Sequence, residues 1–263
     1  MNIITCVKQV PASSQVDVDP DTGVLIRDGN NVKMNPYDLY ALELSFQLRD
    51  KRAGSTVHTV TMGPPSARQV LLESFFMGGD EATLVSDPRF AGADVLATAY
   101  TLSQLIRTIG NFDVVVCGKQ TTDGDTAQVG PEIAEFLGIP HVPYVIDILN
   151  VTDRGMRVRS IYDAHDEIVD VAFPCLITVE KGHLVPRLPS YRRKLAYRDH
   201  PIGLVALSDL VDPNPDHYGL KGSPTQVEAI FPPDKRTESV RHTGTKTELA
   251  QTLFDLLKES KYV

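Results

Sequence analysis

Apolar and polar positions along the first half of the chain follow two alternating periods. Short β-branched runs at 2–7 (NIITCV), 56–62 (TVHTVTM), 82–86 (ATLVS) and 113–118 (DVVVCG) have the length and continuity of strands buried on both faces. Between them, apolar residues recur three and four positions apart. The segment from Asn35 begins with a capping-type side chain and Pro36 at the first helical position. It places Asp38 where a capping box wants an acid, then aligns Leu39, Leu42 and Phe46 on one stripe. PPSARQVLLESFFMGG stops at a glycine pair, and DVLATAYTLSQLIRTIG puts Val95, Leu102, Leu105, Ile106 and Ile109 on one side. Strand and helix in strict alternation predict an α/β fold with a doubly wound, mostly parallel sheet. Ligands of such sheets lie at the carboxyl ends of the strands.

From about residue 142 the pattern becomes VPYVIDILNVTD, RGMRVRSIYD, EIVDVAF and CLITVEK, which predicts a β meander or hairpins extending the sheet, with Arg154-Gly155 as a turn. After Lys181 prolines gather at 186, 189, 201, 213, 215, 224, 232 and 233. Helical periodicity returns only at TKTELAQTLFDLLKES, with Leu249, Leu253, Leu256 and Leu257. So long a stretch without a core of its own predicts an arm docked on a partner, the alternative being a loose tail.

With 263 residues and 42% hydrophobic content, the chain can bury a core as one large domain or as a domain with an appendage. A net charge of -8 argues against nucleic-acid binding, which needs a basic face. Cys6, Cys117 and Cys175 form no C-x-x-C pair, which disfavours a zinc site or a disulfide framework and fits a reducing compartment. The apolar stretch Ile3 to Val7 is too short for a signal peptide, and no run approaches the ~18 apolar residues of a membrane span. The expectation is a soluble, cytoplasmic protein.

Candidate chemistry concentrates in CGKQTTDGDTAQVGPEI, residues Cys117 to Ile133. The strand ends at Gly118 and a helix follows, so the loop stands where phosphates bind. Asp125 or Thr126 is the expected N-cap. Pro131 falls early in the helix, and the amides of Ala127 to Gly130 are expected to face an anion. Gly118, Gly124 and Gly130 allow close backbone approach, and Thr121, Thr122 and Thr126 offer hydroxyls. Asp123 and Asp125 are expected to cap amides or bond a ribose hydroxyl, since carboxylates repel phosphate. The alternative is a polar Asx-turn before an ordinary helix. MGPPSA (Met62 to Ala67) and MNPYD (Met34 to Asp38) are further helix entrances that could share one cleft with this loop. No G-x-G-x-x-G follows the first strand, and there is no G-x-x-x-x-G-K-[ST], G-x-S-x-G or H-E-x-x-H. His141 and His183 read as surface or turn residues rather than ligands.

Taken together, CVKQVP, MNPYDLYALE, TMGPPSARQVLLES with MGGDEATLV, and CGKQTTDGDTAQVGPEIAEFLGIP resemble the β subunit of electron-transfer flavoprotein, in unbroken order from residue 1 to about 200. CLITVEKGHLVPRLPSYRRKLA further resembles that family's partner-recognition loop, near 182–198, in which a leucine before a proline docks on a flavin dehydrogenase; here it is Leu188. The resemblance implies a nucleotide- or flavin-binding α/β domain of the adenine-nucleotide-binding type over 1–200. Over 201–263 it implies a C-terminal arm packing on an α subunit in a heterodimer. It carries nucleotide contacts onto Cys6, Asn35, Pro36, Tyr37, Asp38, Met62, Gly63, Gly118, Lys119, Gln120, Thr121, Thr122, Asp123, Gly124, Asp125, Thr126, Ala127, Gln128 and Val129, and assigns no catalytic residue.

Conventional family members hold AMP in this site, and the electron-bifurcating branch holds FAD. The small residues of TTDGDTA and the MGPP turn resemble the bifurcating branch, because a flavin ring needs room beyond the adenine half. That resemblance implies FAD (AMP in the alternative), NADH as electron donor, and transfer to ferredoxin or flavodoxin and, through the α-subunit FAD, to a flavin dehydrogenase of acyl-CoA or lactate type. Arg187, Arg192, Arg193, Lys194 and Arg198 around Leu188 and Tyr191 then suit docking on an acidic partner, the alternatives being a solvated basic loop or contacts to the α subunit.

Overall fold

Buried β-branched runs form the centre of a nine-stranded sheet in the computed structural model, which describes residues 1–12, 32–228 and 239–263. They belong to a first unit, Met1–Glu228; the second is Ala229–Val263. β1 (Asn2–Cys6) leads through the small antiparallel hairpin of β2 (Gln9–Pro11) and β3 (Val32–Met34) into α1 (Pro36–Asp50). β4 (Thr56–Met62) is followed by a short 3-10 turn, Pro65–Ala67, and α2 (Arg68–Met77). β5 (Glu81–Val85), α3 (Val95–Ile109), β6 (Val114–Gly118) and α4 (Val129–Leu137) complete the alternation.

Successive residues of β1 send their side chains to opposite faces, and the two faces build separate cores. Ile3 packs with Leu42 and Phe46 of α1 and Leu71 and Phe75 of α2. Ile4 packs with Leu102, Leu105 and Ile106 of α3 and Ile133 of α4. The predicted stripes on α1 and α3 are therefore the ones that meet the sheet, although Leu39, Val95 and Ile109 are only partly buried.

Next come β7 (His141–Val151), β8 (Gly155–Ile161), β9 (Asp166–Ala172), β10 (Cys175–Val179), α5 (Tyr191–Tyr197) and β11 (Gly203–Val205). The sheet order is β11-β5-β4-β1-β6-β10-β7-β8-β9. The seven strands from β11 to β7 are parallel to their neighbours; β8 and β9 are antiparallel. The expected meander is therefore shorter than the sequence predicts. CLITVEK is not its last strand but slips between β6 and β7. All five residues of β10 are buried, the mark of a central parallel strand rather than a half-exposed hairpin strand. The turn at Thr152–Gly155 does close the β7–β8 hairpin, with the Thr152 amide donating to the Gly155 carbonyl.

The first unit continues past residue 200. β11 pairs with β5, and Ser223 and Thr225 hydrogen-bond to Asp94 at the start of α3. In the second unit the described element is α6 (Lys246–Glu259), opened by a capping box between Thr245 and Glu248. Pro232 and Pro233 lie outside the described residues. Among the described residues no helix is long and apolar enough to cross a membrane.

Candidate functional site

β1 lies between β4 and β6, and the winding reverses there: α1 and α2 cover one face of the sheet, α3 and α4 the other. Such a reversal parts the connections at the carboxyl ends and leaves a crevice. A cleft of about 1040 Å³ opens at this place. Its walls come from Cys6 to Lys8 after β1, the turn Met62 to Pro65 with Arg68, Ser86 to Pro88 and Phe90 to Val95 after β5, Cys117 to Thr121 with Gly124, and Thr126 to Gly130. Asp38, Leu84, Thr98, Leu102 and Ile202 to Leu204 complete it.

Of the predicted nucleotide contacts, Cys6, Asp38, Met62, Gly63, Gly118, Lys119, Gln120, Thr121, Gly124, Thr126, Ala127, Gln128 and Val129 line this cleft. Asn35, Pro36, Tyr37, Thr122, Asp123 and Asp125 do not; most of these hold the walls in place. Asn35 is fully buried. Its Nδ2 donates to Asp38 Oδ1 and to the Gln120 carbonyl, both at 2.9 Å, and its Oδ1 accepts from the Thr122 amide at 3.3 Å. It thereby ties the loop after β6 to the start of α1. This displaces the capping role expected of it: the Asn35 side chain makes no cap hydrogen bond, and Asp38 forms no capping box. The Asp38 carboxylate turns inward, where it accepts from the Lys8 amide at 2.7 Å. Burial pushes its pKa up to about 7, against hydrogen bonds from Asn35, Lys8 and Gly118 that favour the charge.

The two carboxylates of the loop after β6 are also occupied. Lys8 Nζ grips both oxygens of Asp123 at 2.9 and 2.8 Å, and Gln120 Nε2 donates to Asp125 at 2.5 Å. Burial opposes the charge on Asp123, but the Lys8 hydrogen bonds and charge outweigh it and hold the carboxyl below its ordinary value. Lys119 is likewise engaged, with Glu180 at 2.6 Å and over the Tyr144 ring.

α4 begins at Val129 with Gln128 as its cap, later than the expected Asp125 or Thr126. Asp125 (φ 53°) and Ala127 (φ 55°) adopt left-handed backbone, which no right-handed helical turn accommodates. Among the described residues, the amides of Thr126, Ala127, Gln128, Val129 and Gly130 find no protein acceptor. Five successive free donors at a helix entrance, with Thr121 and Thr126 beside them, fit an anion. Gly130 is required for close packing here: a Cβ would stand 2.5 Å from Cγ2 of Thr178 on β10.

Arg68, the loop Ser86 to Asp94 and Ile202 to Leu204 line the cleft without having been predicted. The run SDPRFAGAD follows a strand's carboxyl end, so the rule that placed the other two loops would also have found it. For Ile202 to Leu204 the signal was hidden, because their place depends on β11 joining the sheet edge.

The basic segment is mixed in role. Leu188 (86% exposed) and Tyr191 (74% exposed) stand free, with Arg192 and Lys194 exposed beside them. Arg193 does not present its charge outward: it donates to the carbonyls of Phe75 (2.6 Å) and Gly79 (2.8 Å) and stacks on Tyr197. Arg187 is held by Glu43 at 2.9 Å and lies over Phe46. Both satisfy carbonyls or buried acids left over by α1 and α2. His183 is exposed as expected, whereas His141 opens β7 half-buried, and burial pushes its pKa down to about 4.

Fold and site thus define a doubly wound α/β domain with an anion-ready cleft at its topological switch point. Comparison with known proteins agrees: residues 22–209 match the electron transfer flavoprotein domain. The electron transfer flavoprotein subunit beta of Clostridium acetobutylicum is 39% identical over the whole of both chains. The caffeyl-CoA reductase-Etf complex subunit CarD of Acetobacterium woodii is also 39% identical over the whole of both, and protein FixA of Azorhizobium caulinodans is 40% identical over 90% of this chain and 86% of its own. The chain belongs to the electron transfer flavoprotein family, among its β subunits.

Proposed function

We propose that this chain binds FAD in the cleft and, paired with an α subunit, takes part in NADH-dependent electron bifurcation between ferredoxin or flavodoxin and a partner flavin dehydrogenase. The observation that carries the reading is the extent of the cleft. It runs past the carboxyl ends of β6, β1, β4 and β5, touching Cys117, Cys6, Met62 and Ser86, and reaches the edge strand β11 at Gly203 and Leu204. Four interstrand spacings of about 4.8 Å make roughly 19 Å, a length suited to two nucleotide-like halves joined by a pyrophosphate rather than to one.

Within that length the chain's own groups divide the work. The free amides of Thr126 to Gly130 hold negative charge, and Asn35, through the loop it anchors, fixes where those amides point. Prolines 64, 65 and 88 and Phe90 supply an apolar wall further along. Bound there, the flavin supplies hydride acceptance and single-electron delivery, which belong to the cofactor. The exposed Leu188, with Tyr191, Arg192 and Lys194, serves as the docking point for the dehydrogenase. The apolar residues of α6 cover part of the α subunit.

A second reading has its own support: the amides and threonines at the α4 entrance suffice for a single phosphate, so AMP could occupy that end alone as a structural ligand. Cofactor counting decides between them. The α/β complex is purified, its ligands are released, and FAD and AMP are quantified per heterodimer. Two FAD and no AMP are expected. One FAD and one AMP would make the cleft a structural cradle.

A further inference from the structure

Cys6 and Cys117 are paired residues on adjacent parallel strands, β1 and β6, at the carboxyl ends where the sheet meets the cleft. Both belong to the core on the α3 and α4 side, so both thiols project from the same face. Both also line the cleft and are unbridged, with relative exposures of 9% and 5%. Neighbouring parallel strands lie about 4.8 Å apart. That spacing falls within the ~4.4 to 6.8 Å between Cα atoms that a disulfide spans.

We propose that Cys6 and Cys117 form a dithiol switch beneath the nucleotide site, which a small-molecule disulfide converts to a cross-strand disulfide and thereby loosens the bound nucleotide. The reaction is two exchanges. Cys6 Sγ, the more exposed of the two, attacks the small disulfide as thiolate and releases one thiol, leaving a mixed disulfide. Cys117 Sγ then loses its proton and displaces the second thiol, forming the Cys6–Cys117 bond. Two protein thiols are oxidised and one small disulfide is reduced to two thiols. The Cys117 thiol is held well above its ordinary pKa by its hydrogen bond to Cys6, by burial and by Asp38, so it suits the second role rather than the first.

The connection to the nucleotide follows from what adjoins Cys117. The next residue, Gly118, is packed so closely on α1 that an added Cβ would overlap Asp38 and stand 2.8 Å from the Cβ of Tyr37. The ends of β1 and β6 have no slack there. Drawing the two sulfurs to the ~2.05 Å of a bond turns both side chains out of their present packing, and where the backbone has no slack that strain passes to the loop carrying the free amides of Thr126 to Gly130. Cys175 lies on β10, fully buried and outside the cleft lining, and is not part of the switch.

The inference that oxidation loosens nucleotide rests on the reading of the cleft as the nucleotide site; the cross-link itself does not. The purified α/β complex is incubated with oxidised glutathione, free thiols are alkylated, and peptides are mapped by mass spectrometry while nucleotide in the filtrate is counted. A linked peptide pair containing Cys6 and Cys117 is expected, with loss of retained nucleotide that dithiothreitol reverses on re-addition of FAD. Cys117→Ser should abolish the link and the oxidant response, and Cys175→Ser should keep both. Absence of the link in the folded wild-type complex overturns the proposal. So does a link that leaves retention unchanged. A complex that holds no nucleotide before oxidation would instead defeat the reading of the cleft, and the peptide map would still test the dithiol.

Discussion

Gly118 and Asp38 are packed so closely that a Cβ at Gly118 would overlap the Asp38 carboxylate, as well as standing 2.8 Å from the Cβ of Tyr37. β6 and the start of α1 meet through a bare backbone. Gly118→Ala must push α1 away from β6 or turn Asp38 out of its hydrogen bonds with Asn35 and Lys8. Overpacking of this kind costs about 1 to 3 kcal/mol. The expected result is a lower urea midpoint with an unchanged slope, together with weaker nucleotide retention. An unshifted midpoint would show that the contact can relax freely.

Asp38 also gives the fold a specific pH dependence. Burial raises its pKa from 3.8 to about 7 in the folded chain, so between these values the native state binds more protons than the unfolded state. The stability Asp38 contributes is complete below about pH 4 and is lost as pH rises through about 7. Relative to Asp38→Asn, the wild-type chain should therefore lose stability steadily from pH 4 to 7. Thermal midpoints of the two proteins taken across that range test the sign, because titration of other groups cancels in the difference. A constant gap would mean that the hydrogen bonds to Asp38 keep it ionised throughout.

Leu188 and Arg193 lie five residues apart in one basic segment and should behave oppositely. Leu188 is exposed, so Leu188→Ala should leave stability within about 0.5 kcal/mol while slowing electron transfer to the dehydrogenase partner. Arg193 satisfies the carbonyls of Phe75 and Gly79 at the end of α2 and stacks on Tyr197. Hydrogen bonds from a charged donor contribute about 1.5 to 3 kcal/mol, so Arg193→Ala should lower the denaturation midpoint. Stopped-flow transfer and urea titration on both variants separate the roles; equal effects of the two on transfer alone would return Arg193 to the docking surface.

These residues also mark where sequence legibility ended. β1, β4, β5 and β6, the helices between them and the loop after β6 are readable because each rests on local signals: apolar period, a proline at a helix start, glycines at a turn. The place of β10 was not readable, since pairing between β6 and β7 is a long-range choice; its uninterrupted burial was the clue. Asn35 and Arg193 take partners that their local sequence does not announce, for a related reason. A polar side chain beside a helix end has a default local partner, a cap or solvent, and tertiary packing supplied a better one from a distant loop or helix end. Left-handed backbone carries only a weak sequence signal at Asp125, since Asp tolerates that region better than most side chains, and none at Ala127.

Lys8 and Asp123 bring the loop's charge balance to a test. Both side chains are substantially exposed, 45% and 33%, so the ion pair between them contributes at most about 1 kcal/mol to folding. On the proposed reading of the cleft, its larger effect is local: Lys8 neutralises a carboxylate that would otherwise repel an anion held by the amides of Thr126 to Gly130. Lys8→Ala should leave the denaturation midpoint nearly unchanged but weaken nucleotide retention, and more so at low salt, where the unmasked charge is less screened. Adding Asp123→Ala to that variant should restore much of the retention, because the repelling charge is gone. If the double variant retains as little as Lys8→Ala alone, the lysine acts by touching the phosphate itself rather than by masking Asp123.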